Sequence, residues 1–300
     1  MSTTAITITS ERSAVLARVA DYVELTKPRI GAMVLVTVGV AAFVAGWGPP
    51  SVWLLANTLV GTALVAASAS ALNQWIERES DAHMPRTAGR PLPAGRLNAA
   101  QVLAFSVVTI VAGTLQLALI VNMRTAAFGL LTWALYVWVY TPLKRRTSAN
   151  TAIGAIAGAM PVLMGWSATG AALDLRAWSL FLILFIWQFP HFMAIAWLYR
   201  RQYGEAGLKM LTTVDPSGFR AAAQAVVSAL VLIPVSLVPC LSQPAGGVYF
   251  GWALLLGSLQ LACAVAFFVQ LSELSARRLL LASLVYLPAM MALLVIGPLA

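Results

Sequence analysis

Long apolar runs alternate with short polar breaks from near residue 30 to the end of the 300-residue chain. Nine such runs are legible, at roughly 30–47, 52–75, 99–121, 125–142, 151–170, 176–198, 221–241, 247–270 and 278–298. Each is close to the length at which an α-helix, rising about 1.5 Å per residue, crosses a hydrocarbon layer about 30 Å thick. Backbone polar groups in lipid have to be satisfied within the segment that carries them, so runs of this length predict helices. The expected fold is therefore all-α and polytopic, with nine transmembrane helices. Ahead of the first run, DYVELTKPRI (Asp21–Ile30) reads as an amphipathic approach helix broken at Pro28. The pattern divides the chain into a cytosolic N-terminal segment, 1–29, and a single transmembrane domain, 30–300.

The polar breaks are not alike. Those after runs 1, 3, 5 and 7 are short and nearly uncharged, whereas those after runs 2, 4, 6 and 8 carry the charge. With the N-terminus in the cytosol, all of the 19 Lys and Arg residues except Arg124 and Arg176 fall on the cytosolic side. This is the asymmetry that membrane insertion favours, and an odd number of spans leaves the C-terminus outside. Composition fits: 60% of residues are hydrophobic and 10% charged, against about 25% charged in a soluble domain. The net charge of +9 is accounted for by those loops, so nucleic acid is rejected as a partner and the lipid bilayer is the expected surroundings. Cys240 and Cys263 lie inside apolar runs without metal-ligand spacing and read as small core residues. Residues 1–20 lack the apolar core of a cleavable signal, and the short untargeted start points to a bacterial plasma membrane.

Three charged loops share one membrane face, and candidate chemistry gathers there. In NQWIERESDAHMPRTAGRPLPAG (Asn73–Gly95), Asn73, Glu77 and Asp81 are spaced i, i+4, i+8. On a helix, each step of four turns the face by only about 40°, so the three line one edge. An oxygen-only edge suits Mg²⁺, a hard cation that shares its shell with substrate phosphate. A solvated helix end needs no such register, and acids at a membrane boundary are usually functional. Glu79 and His83 read as solvated. Arg86, Arg90 and Arg96 have two readings, topology alone or a diphosphate clamp, in which Pro91 and Pro93 would stiffen the backbone beyond Arg90. Tyr140 and Lys144–Arg146 are explained by topology, although Lys144 could neutralise a departing diphosphate. His191, in WQFPHF (Trp187–Phe192), is a rarity in a membrane span and a functional candidate.

The combination NxxxExxxDxxMPRTxxRPLPAG (Asn73–Gly95), with ELTKPRI (Glu24–Ile30), YTPLKRRTSANTAIGAIAGAMPVLMGW (Tyr140–Trp166) and WQFPHFMAIAWLYRRQYGEAGLKML (Trp187–Leu211), resembles the UbiA-type intramembrane prenyltransferases. The resemblance is closest to the branch that farnesylates heme. It covers most of residues 24–220, and the last three spans carry no distinguishing motif. It departs from the usual NxxxDxxxD in having Glu77, which keeps the oxygen and lengthens its reach.

The resemblance implies a UbiA-type bundle around a central cavity open to the cytosolic side, with a lateral opening for lipid-like substrates. It implies transfer of a farnesyl group from farnesyl diphosphate to the vinyl group of heme b, giving heme O and diphosphate, with a heme A synthase as a candidate downstream partner. Asn73, Glu77 and Asp81 would hold Mg²⁺ on the diphosphate, Arg90 and Lys144 would steady it, and His191 would contact heme. Arg86, Tyr140, Arg200, Arg201, Tyr203 and Lys209 complete the expected substrate-binding set. A second Mg²⁺ stays open, because the loop after run 6 lacks the second aspartate-rich motif of quinone-type relatives; basic residues, Glu205 or Asp215 would substitute. The rival readings are prenylation of a quinone precursor or other aromatic ring, discriminated by that missing motif and by His191, and a heme-binding permease without catalysis.

Overall fold

A computed structural model describes residues 15–241 and 246–296. The sequence expectations for Arg12 and the rest of residues 1–14, for the C-terminal residues beyond 296 and for part of the loop after the seventh run lie outside the described residues. The described residues form nine helices long and apolar enough to cross a membrane, and no strands. They are α1 (Pro28–Gly46), α2 (Val52–Ala82), α3 (Ala99–Val121), α4 (Met123–Leu143), α5 (Asn150–Ala168), α6 (Leu175–Leu198), α7 (Phe219–Leu241), α8 (Gly246–Gln270) and α9 (Glu273–Ile296). Each of the nine expected runs corresponds to one of these helices among the described residues. The largest difference in length is in α2, which continues past residue 75 to Ala82. The segment IERESDA has no Gly or Pro to stop it and the helix ends only before Pro85. The acidic edge therefore rides on the same rigid helix that is anchored in the membrane.

Residues 15–25 form the approach helix. Its break falls at Lys27, in the left-handed region at φ 53° and ψ 64°, and Pro28 opens α1 as its first residue. Pro is well suited to that position, since its missing N–H would have no helical partner there. The approach helix is pinned to the bundle at several points. Leu25 is buried with Ala71, Leu97 and Val102, its carbonyl accepts from Gln74 Nε2 at 2.9 Å, and Arg96 pairs with Asp21 and Glu24, each at 2.7 Å.

α5 is the central post, buried over most of its length and packed against α1, α4 and α6. Small residues allow this, because helices in lipid associate by close van der Waals approach. A Cβ on Gly165 would clash with the Val38 carbonyl oxygen of α1, and one on Gly158 with Gln188 Oε1 of α6. α6 in turn packs on α7 and α9, α8 lies against both of those, and α9 returns to α1. On the outer flank, α3 and α8 expose Val107, Val108, Val111, Leu255 and Leu259, which is the surface a lipid environment requires. Two spans are locally widened into π turns, at Leu117–Val121 and Leu135–Tyr140. Such turns are frequent at functional sites, and the second leads directly into the residues described next.

Candidate active site

A cavity of about 740 Å³ lies within the bundle, a size typical of ligand sites. One wall is polar, built from α2, the entrance to α1 and the loops that follow α2 and α4. Asn73, Glu77 and Asp81 all line it, as the spacing predicts. Each is met by a cation from a different segment. Lys27 Nζ donates to Asn73 Oδ1 at 2.6 Å, Lys144 Nζ to Glu77 Oε1 at 2.8 Å, and Arg90 Nη1 to Asp81 Oδ2 at 2.5 Å.

Local structure explains why these partners converge. The π turn ends at Tyr140, and its Tyr136 carbonyl accepts from the Thr141 hydroxyl at 2.7 Å. That hydroxyl oxygen accepts from Asn73 Nδ2 at 3.1 Å, which orients the amide so that Oδ1 meets Lys27. Lys144 follows within one turn, its ammonium 4.6 Å from the centre of the Tyr140 ring. After α2, the Thr87 hydroxyl donates to the Asp81 carbonyl at 2.8 Å. The chain thereby doubles back and returns Arg90 to the Asp81 carboxylate. The loop after α6 joins the others through its backbone: Lys209 N–H donates to the Lys144 carbonyl at 2.6 Å, and Asn150 Nδ2 to the Lys209 carbonyl at 2.9 Å.

The electrostatics favour an anion. Lys27, Arg29, Arg86, Arg90 and Lys144 line the cavity with two carboxylates between them. Burial, reinforced by Arg90, lowers Lys27 to about 7, against the opposing pull of Glu77 and Asp81. Burial opposes the charge on Lys144 as well, but Glu77 and the neighbouring tyrosines outweigh it and hold Lys144 above its ordinary value.

The other wall is apolar and aromatic, formed by Trp187, His191, Phe192 and Ile195 of α6 with Leu284 and Leu287 of α9. Gln188 separates it from α5, donating to the carbonyls of Ala155 at 2.9 Å and Leu184 at 3.1 Å.

Not every expected residue reaches the cavity. Arg86, Tyr140, Tyr203 and His191 line it, the Arg86 guanidinium lying 5.3 Å from the centre of the Tyr199 ring. Arg200, Arg201 and the Lys209 side chain are not among the lining residues. Arg200 folds back on its own helix end, donating to the Trp197 carbonyl at 2.7 Å and covering the Trp197 ring at 4.3 Å. Arg201 and Lys209 are exposed. Arg96 is occupied by the approach helix. Glu205 is exposed, Asp215 caps a turn through Ser217 Oγ at 2.5 Å and Arg220 N–H at 2.9 Å, and neither lines the cavity. Conversely, sequence reasoning gave no role to Lys27, Arg29 or Gln188. The signal for the first two was present: they flank Pro28, which fixes the backbone at the entrance to α1.

The donor set fits Mg²⁺ in one specific way. Among the described residues there is no group of three or more His, Cys, Asp or Glu side chains able to hold a metal. The polar wall instead offers an amide oxygen and two carboxylates in line on one helix. Mg²⁺ is usually bound by one or two carboxylates plus substrate phosphates and water, and this edge supplies that share of the shell.

The profile of the UbiA prenyltransferase family matches residues 33–294. A protoheme IX farnesyltransferase from Solibacter usitatus (strain Ellin6076) is 46% identical over 278 residues, covering 89% of this chain and 95% of that protein. A second, from Koribacter versatilis (strain Ellin345), is 42% identical over 95% of both. Among solved structures, one concerning digeranylgeranylglyceryl phosphate synthase superposes with a TM-score of 0.81 at 13% identity, covering 94% of this chain and 99% of that one. A UbiA homolog from Archaeoglobus fulgidus bound to GPP and Mg²⁺ gives 0.63 at 15% identity, covering 91% and 99%. At these identities the solved structures establish the fold.

Proposed function

The chain belongs to the UbiA prenyltransferase family, and from that membership we propose that it transfers the farnesyl group of farnesyl diphosphate to a vinyl group of heme b, releasing diphosphate and giving heme O. The observation that carries this reading is the two-walled cavity. A wall with five cations and two carboxylates suits a metal diphosphate, and a wall of aromatic and aliphatic side chains with one histidine suits a prenyl chain and a porphyrin.

The chain's residues act chiefly on the leaving group. Asn73, Glu77 and Asp81 would hold Mg²⁺, which supplies Lewis-acid stabilisation of the charge that grows on the diphosphate. Lys27, Lys144 and Arg90 are already aimed at the same oxygens, and turn from carboxylate or amide to phosphate when the anion binds. The guanidinium forks of Arg86 and Arg90 match phosphate geometry. As the C–O bond breaks, its electron pair leaves with the diphosphate, and fixed positive charge favours that separation more than it favours the bound substrate. The apolar wall keeps bulk water from the allylic cation. The vinyl π pair then forms the new C–C bond, and water adds to the resulting heme-side cation and loses a proton, leaving a hydroxyethylfarnesyl group. No protein nucleophile enters this sequence, in keeping with the free cysteines Cys240 and Cys263 lying away from the cavity.

The same reading places the protein as a single domain, 30–300, in a bacterial plasma membrane, with its N-terminal segment, 1–29, and cavity opening in the cytosol and its C-terminus outside. Heme O would pass to a heme A synthase. Asn73, Glu77 and Asp81 would take one Mg²⁺, and the loop after α6 adds no acidic side chain to the cavity lining. The test is to incubate purified protein with heme b, farnesyl diphosphate and Mg²⁺ and to seek farnesylated heme by mass. A well-folded preparation that yields none overturns the reading, and turnover of a phenolic quinone precursor instead would select the quinone-type activity.

A further inference from the structure

The His191 ring is held on three sides. Nδ1 lies 2.8 Å from Ser283 Oγ of α9. The indole of Trp187, one turn earlier on α6, stacks on the ring with centroids 4.8 Å apart and planes 23° from parallel. Phe192 closes another side edge-on, at 5.6 Å and 70°. Ser283 also fixes Trp187, whose Nε1–H donates to the Ser283 carbonyl at 2.8 Å. A single residue of α9 thus anchors both rings.

The direction of the His191–Ser283 hydrogen bond follows from its surroundings. A backbone carbonyl only accepts, and a serine hydroxyl has one proton to give. Ser283 Oγ donates that proton to the Leu280 carbonyl at 2.7 Å. Its oxygen therefore accepts from His191, and Nδ1 carries the hydrogen. In the neutral ring, Nε2 then bears the lone pair, and it has no hydrogen-bond partner among the described residues. A histidine that merely tied α6 to α9 would be complete with the Nδ1 bond, and its second nitrogen would be packed away at a desolvation cost. Nε2 is not among the buried unpartnered atoms, and His191 lines the cavity.

We propose that His191 presents Nε2 to the iron of the heme substrate as an axial ligand, and that Ser283 is the positioning residue that selects this tautomer and ring orientation. The proposal rests on the heme reading given above. Neutral imidazole nitrogen is a common iron ligand, and a ligating histidine normally has its other N–H held by a fixed acceptor. Here that acceptor is a hydroxyl that has the Leu280 carbonyl as a fixed target for its own proton. Ligation would hold the macrocycle on the aromatic wall and leave its vinyl edge free to approach the farnesyl carbon.

The test uses full-length protein in detergent with ferric heme b, read by absorption and electron paramagnetic resonance, together with the separate KM values for heme and farnesyl diphosphate. Wild-type protein is expected to give a nitrogen-ligated heme signature that His191→Ala abolishes. Ser283→Ala should weaken heme binding roughly 10-fold, the scale typical of lost outer-sphere support, and raise KM for heme alone. Ser283→Thr, which keeps the hydroxyl, should restore both. Farnesyl diphosphate binding unchanged in all variants reports that they are folded. A wild-type heme signature in His191→Ala overturns the ligation, and wild-type heme affinity and signature in Ser283→Ala overturn the positioning role. Wild-type protein that ligates heme through nitrogen but forms no farnesylated heme upholds the ligation and overturns the reaction assigned above.

Discussion

Lys144 Nζ sits 2.8 Å from Glu77 Oε1, with 17% and 12% of the two side chains exposed, so the loop after α4 and the end of α2 are joined by an ion pair at the cavity wall. The pair holds the cation in place before substrate arrives. Lys144→Met is therefore expected to lower turnover by about 10²–10³-fold, the scale for removing one preorganised charge from a transition state. Glu77→Gln alone should cost on the order of 3 kcal/mol of stability by leaving Lys144 unpaired. The double variant should regain stability without regaining activity. Thermal melts alongside turnover check this; equal melting of single and double variants would show that the pair carries no structural weight.

Asp81→Ala is expected to abolish turnover while leaving the protein in the membrane. Binding of farnesyl diphosphate should then lose its dependence on Mg²⁺, and treating the wild type with a chelator should reproduce the defect. Isothermal titration of farnesyl diphosphate against both proteins, with and without Mg²⁺, measures it. Near-normal activity of Asp81→Ala would remove Asp81 from the metal site.

The basic residues fall into two groups that kinetics can separate. Arg90→Ala should raise KM for farnesyl diphosphate at least about tenfold, the loss expected for a charge-assisted contact of about 1.5 kcal/mol. Arg200→Ala and Arg201→Ala should leave KM within about threefold, because surface charge outside the cavity acts only through screened distance. A large effect at Arg201 would mean that the loop after α6 closes over the substrate.

Arg96→Ala tests the anchoring of the approach helix. Arg96 is 41% exposed, so its two ion pairs are screened by solvent and contribute less than about 1 kcal/mol each. Turnover should stay within about threefold, while limited proteolysis around residues 15–25 should accelerate. Unchanged proteolysis would mean that the buried Leu25 and its hydrogen bond from Gln74 hold the approach helix without Arg96.

Gly165→Ala and Gly158→Ala are expected to differ. The first places a Cβ against backbone, the Val38 carbonyl, and should cost about 1–3 kcal/mol or more, as overpacking does. The second meets the Gln188 side chain, which can rotate away at the expense of its hydrogen bonds to Ala155 and Leu184. Thermal unfolding should rank Gly165→Ala as the less stable of the two.

The architecture was highly legible because lipid imposes its own arithmetic: a run either is long enough to span or is not. The acidic edge was equally legible, since i, i+4, i+8 spacing is a property of any helix. What sequence could not separate was cation from cation. Arg90 and Arg96 in the loop after α2 and Arg200 just after α6 have the same topological explanation, yet one meets Asp81, one clamps the approach helix and one lies over Trp197. Only chain reversal in three dimensions distinguishes them. Lys27 was marked by Pro28 beside it, but its contact with Asn73 was not, and Ser283 was hidden because it lies in a span with no motif, nearly a hundred residues from the histidine it touches.

α5 carries a consequence for how the protein is made. It and α4 are the two least apolar of the nine spans, and α5 is also the one most enclosed by the others. Its eventual neighbours on the far side, α6 and beyond, have not been synthesised when it leaves the ribosome. A helix so weakly attracted to lipid partitions most readily together with its predecessor, as a hairpin whose turn holds Lys144, Arg145 and Arg146 on the charged side. The lysine that faces Glu77 in the finished bundle thus belongs to the same turn of six residues between α4 and α5 whose positive charge would orient the hairpin during insertion, so a substitution there is open to both demands at once.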